Sequence, residues 1–107
     1  MTYENLKGEI IKVAKLNNFV YHGKLISEDE STIQVYDALI GLIRIKKEEI
    51  EKVIPCSTFM WAKFLDKITP KFGTQVITNK TQMHKQFDEL RKKVEGDKNG
   101  TNIHTAT

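Results

Sequence analysis

One cysteine, two prolines and six glycines in 107 residues each exclude something. With Cys56 alone there is no internal disulfide and no cysteine-based metal site, and a single free cysteine reads as a small buried hydrophobe. Gly23, Gly41 and Gly73 stand isolated, so the chain has no glycine-rich phosphate loop. His22, His84 and His104 lie far apart with no HxxxH pair, which gives a zinc site no basis and leaves Cys56 and Ser57 without an evident base. No apolar run approaches the about 18 residues that a membrane span needs. Glu4, Lys7, Glu9 and Lys12 interrupt the N-terminal apolar residues, so nothing there resembles a signal peptide. The expectation is a cytoplasmic protein that is not an enzyme and carries no cofactor or metal.

What is present is charge, unevenly spread. Residues 1–55 hold eight Lys/Arg against nine Asp/Glu, and residues 56–107 hold nine against five. A first half at −1 and a second at +4 give the net +3. That balance admits a polyanionic partner without requiring one.

Period-two alternation fills residues 8–55, the signature of short strands. In "EIIKVAKL" Ile11 and Val13 oppose Ile10, Ala14 and Leu16. Asn17-Asn18 follows, and Asn tolerates the left-handed backbone of a tight hairpin. In "FVYHGKLI" Phe19, Tyr21 and Leu25 oppose Val20, His22, Lys24 and Ile26, with Gly23 marking a bend or a close backbone approach. "TIQVY" sets Ile33 and Val35 against Thr32, Gln34 and Tyr36. "LIGLIRI" and "IEKVI" complete five strands before Pro55. Strands this short and closely spaced predict a small bent antiparallel barrel.

After Pro55 the pattern changes. "STFMWAKFLDKI" predicts an amphipathic helix with Ser57 or Thr58 as N-cap, and "KFGTQVITN" one further strand. "TQMHKQFDELRKKVEG" predicts a second helix on Met83, Phe87, Leu90 and Val94, with Arg91, Lys92 and Lys93 complementing its dipole and Gly96 as C-cap. The expected organisation is a barrel at 1–55, a helical or mixed extension at 56–96 on or beside it, and a disordered tail at 97–107.

The first half resembles the Sm-like family, which includes the bacterial Hfq branch. The residues that carry the likeness are Ile11, Val13, Asn17-Asn18, Tyr21, Gly23, Leu25, Asp29, Ile33, Val35 and Asp37-Ala38, then Ile45, Lys46-Lys47, Ile50 and Val53-Ile54-Pro55. Asn18 replaces the usual Gly, Lys46-Lys47 replaces Arg-Gly, and Glu48 stands where the bacterial form has His. The loop after the second strand is one residue short, so Thr32 falls at the place of a base-contacting Asn.

The resemblance implies a five-stranded bent barrel that closes into a ring of about five to seven copies, strand four of one meeting strand five of the next. It implies single-stranded RNA at the pore, held by Asp29, Ser31, Thr32, Lys46 and Lys47. It also implies a subunit interface along Ile43, Ile45, Val53 and Ile54. The alternative expectation is an assembly module whose ring only sets geometry while residues 56–96 recruit a protein partner. Lys-Lys-Glu-Glu as a solvated turn, Asp29 as a turn cap, and Trp61 and Phe64 as core are the plain structural counterparts of these assignments.

Overall fold

The computed structural model describes residues 2–68 and 79–106. Five strands run in chain order: β1 (Ile10–Lys15), β2 (Val20–Glu28), β3 (Thr32–Asp37), β4 (Gly41–Lys46) and β5 (Ile50–Pro55). Two helices follow, α1 (Thr58–Ile68) and α2 (Lys80–Ala106). The strands form one antiparallel sheet in the order β4-β3-β2-β1-β5. Asn18 takes a φ of 72° in the β1–β2 turn, the left-handed seat expected of it. The further strand expected over residues 71–79 falls almost wholly outside the described residues.

The alternation of β1 and β3 is used on both sides of the sheet. On one face Ile11, Val13, Leu25, Ile33, Val35 and Ile45 form a buried cluster, joined by Tyr21, Ile43, Ile50 and Val53. All five strands feed this cluster, and neither described α-helix packs on it. Tyr3 and Leu6, from a 3-10 turn at Glu4–Leu6, pack against the same cluster. On the other face Ile10 and Ala38 join Cys56, Trp61, Leu65, Met83, Phe87 and Leu90, so this is the face that the helices cover. Ile10 and Ile11, adjacent in sequence, are 1% and 0% exposed and anchor opposite cores. Leu16, expected to extend the face of Ile10, lies past the end of β1 and is exposed.

Gly23 owes its place to close approach. A Cβ there would collide with the Tyr36 carbonyl oxygen and sit 2.7 Å from the Asp37 Cα, so only hydrogen lets β2 lie this near β3. Ser57 caps α1, its Oγ accepting from the Met60 N–H at 3.1 Å. Asn79 caps α2 in the same way, accepting from the Gln82 N–H at 2.8 Å. Gly96 does not stop α2. The helix runs through it to Ala106, including most of the segment expected to be a disordered tail. A glycine inside a helix costs only about 1 kcal/mol, less than a stop requires. No described helix is long and apolar enough to cross a membrane.

Candidate functional site

The five residues expected to contact a ligand meet at one end of the sheet. Thr32 pairs with Lys46 across β3 and β4, and the Lys47 N–H donates to the Ser31 carbonyl at 2.7 Å. The β2–β3 loop and the β4–β5 connection, a 3-10 turn at Lys47–Glu49, are thereby tied together.

Within that junction Asp29 is a loop builder. Its Oδ1 accepts from the N–H groups of Ser31 and Thr32, both at 2.8 Å, and from the Ser31 hydroxyl at 3.3 Å. Its Oδ2 accepts from the Thr32 hydroxyl at 2.9 Å. The Ser31 and Thr32 N–H bonds, with the Thr32 hydroxyl, hold its carboxyl down to about 2. The hydroxyl protons of Ser31 and Thr32 both point inward, which leaves their lone pairs for an outside donor.

Lys47 is engaged as well. Its Nζ lies 2.7 Å from Glu28 Oε2 and over the Tyr3 ring at 5.9 Å. Glu28 Oε1 accepts from the Tyr3 N–H at 2.6 Å. The Lys47 ammonium, followed by the Tyr3 N–H, draws the Glu28 carboxyl below its usual range. Lys46 is exposed. A concavity of about 440 Å³ is lined by Glu30, Ser31, Thr32, Lys46, Lys47 and Glu48. A second of about 400 Å³ lies toward the N-terminus, among Glu4, Lys7, Glu28 and Asp29. Carboxylates crowd both.

The expected interface residues divide. Ile45 is buried in the inner core, and Ile43 and Val53 pack against it. Ile54 lies opposite Lys12 and is half-buried. The open feature of these strands is therefore backbone: among the described residues β4 pairs with β3 alone and β5 with β1 alone. Leu39, Ile40 and Leu42, at and before the start of β4, are exposed and did not figure among the expected contacts.

A second constellation is structural. Asp37, 4% exposed, accepts from the N–H groups of His22 at 3.2 Å, Leu39 at 2.9 Å and Ile40 at 3.0 Å. Arg91 reaches the same turn from α2, donating from Nη1 to the carbonyls of Asp37 and Ala38 at 3.4 and 3.2 Å. Its Nη2 pairs with Glu95 at 3.0 Å, and its guanidinium lies 4.7 Å from the Tyr36 ring centre. Arg91 is thus a buried tie rather than part of an exposed basic patch with Lys92 and Lys93. Its position four residues after Phe87 was the available signal, because that spacing shares the apolar face.

Burial, with Lys12 next in weight, lowers His22 to about 4, and its ring stacks on Phe64 at 4.3 Å. Burial pushes the Cys56 thiol up to about 11, the reverse of an activated nucleophile. Trp61 and Phe64 are helix core, Trp61 fully so. Comparison with models of known families and with curated proteins gives no match.

Proposed function

We propose that this chain is an Sm-like subunit that closes, edge to edge, into a cyclic homo-oligomer and holds single-stranded RNA where its β2–β3 and β4–β5 loops gather around the pore. One observation carries the reading: the strand order leaves β4 and β5 as the two edges of the sheet, while the loops beside them are hydrogen-bonded together. An edge presents a row of free N–H and C=O groups, and a closed cycle satisfies every row at once. Exposed Lys46 and the lone pairs of Ser31 and Thr32, repeated about five to seven times, would multiply a weak contact by the copy number. The proposal assigns no catalysis.

A second reading has its own support. Asp29 and Lys47 spend their hydrogen bonds and charge within the chain, and Glu28, Glu30 and Glu48 stand beside them. A rim of that sign suits an assembly module better than a phosphate channel. In this reading the ring fixes geometry and residues 56–96 meet a protein partner.

Two measurements separate these outcomes. Light scattering at low and high protein concentration should give a closed oligomer, and a monomer throughout would overturn both readings. Fluorescence anisotropy with short oligo-U and oligo-A at two salt concentrations should show binding that weakens with salt. A ring that ignores RNA at low salt leaves only the assembly module standing.

A further inference from the structure

The outward face of α1 carries a pattern that the pore reading leaves unused. Phe59, Lys63 and Lys67 stand four residues apart and share one stripe of the helix, away from buried Trp61 and Leu65. Phe59 is 66% exposed, and Lys63 Nζ lies 4.7 Å from its ring centre. Lys12 of β1 is the register partner of His22, which stacks on Phe64 of α1, so Lys12 lies on the side of the sheet that α1 covers. Among the described residues, none of Lys12, Lys63 and Lys67 has a carboxylate within 4.0 Å. Asp66 is the only carboxylate in α1.

We propose that Phe59, Lys63 and Lys67, with Lys12 beside them, form a contact for single-stranded nucleic acid on the outside of the subunit, distinct from the loop rim. A solvated aromatic ring flanked by ammonium groups offers what an unpaired strand needs, a surface to stack a base and cations for the adjoining phosphates. The charge asymmetry of the chain points the same way, because the +4 half contains this helix. A lipid surface fits less well. The apolar side of α1 is already packed on the sheet through Trp61 and Leu65, so insertion would have to uncover that core.

The experiment uses the full chain and a fluorescein-labelled oligo-U or oligo-A strand. Lys63→Ala/Lys67→Ala should weaken binding at least several-fold and flatten the slope of log affinity against log salt by about 1.4, the share of two phosphate contacts on a single strand. Phe59→Ala should weaken both strands several-fold without moving the thermal midpoint. Phe59→Trp should give emission that bases quench, over a constant background from buried Trp61. Lys46→Ala, run in parallel, keeps the two sites apart. Should Lys46→Ala abolish binding while the stripe variants leave affinity and slope unchanged, the stripe is overturned. Should the stripe variants abolish binding while Lys46→Ala does not, the stripe stands and the loop rim fails. Binding that survives Phe59→Ala unchanged but falls with the lysines reduces the surface to plain charge and overturns the stacking assignment. Absence of binding by the unaltered chain at low salt overturns the contact entirely.

Discussion

Asp37 and Arg91 converge on one turn from opposite directions, and between them they satisfy five backbone groups. Asp37→Ala removes the acceptor of three N–H groups, those of His22, Leu39 and Ile40. Leu39 and Ile40 are exposed enough for water to take its place, so at about 0.5–1.5 kcal/mol net for each hydrogen bond the change should cost about 2 kcal/mol, read as a shift in urea midpoint. His22 gives a prediction in pH. Its folded value lies near 4 against an ordinary 6.5, so between those limits the unfolded chain binds the extra proton. Its contribution is complete above about pH 6.5 and is lost as pH falls toward 4. Allowing for partial exposure, the loss is about 2 kcal/mol. Carboxylates titrate in the same range, so the measurement is the difference between the unaltered chain and His22→Gln across pH 4–7, which should narrow as pH falls. A constant difference would contradict the assignment.

Among elements, the strands were the most legible. Alternation places Ile33 and Val35 on one side and Tyr36 on the other, as the two cores require. Period two shows which residues share a side but not what covers it. The sequence therefore left open whether the helices pack on the strands or beside them. The loop rim was half legible. Its five residues do gather, yet the Glu28–Lys47 pair joins positions whose meeting depends on how β2 and β4 are placed across β3, which no local pattern encodes. Gly96 misled for a different reason: a helix end is set by the balance along a whole segment, and one unfavourable residue is a small weight in it. Phe87 states the role of α2 in energy. Fully buried against Trp61 and Tyr36, at centroid distances of 5.9 Å in both pairs, it should cost about 3–5 kcal/mol as Phe87→Ala, measured by denaturant titration.

At the scale of the whole molecule, one sheet serves two cores, and this bears on how the protein comes apart. The two cores stand on opposite faces of the same strands, with Ile10 and Ile11 as the tightest join. Loss of either core removes a wall of the other, so unfolding should be a single event. Trp61, the chain's one tryptophan, reports on the exterior alone, while far-ultraviolet dichroism reports on sheet and helices together. The two transitions should coincide in urea. A tryptophan transition clearly preceding the dichroism change would mean that the helices leave first and the sheet persists without them.

The hydrogen-only seat at position 23 also has a use beyond this chain. Where β2 lies against β3 at Gly23 the backbones meet with no room for a methyl group, and Asp37, its register partner, also holds the N–H of the neighbouring His22. At that point no side chain larger than hydrogen fits. Any chain folded this way would have to keep a glycine opposite this aspartate, whatever residues its loops carry.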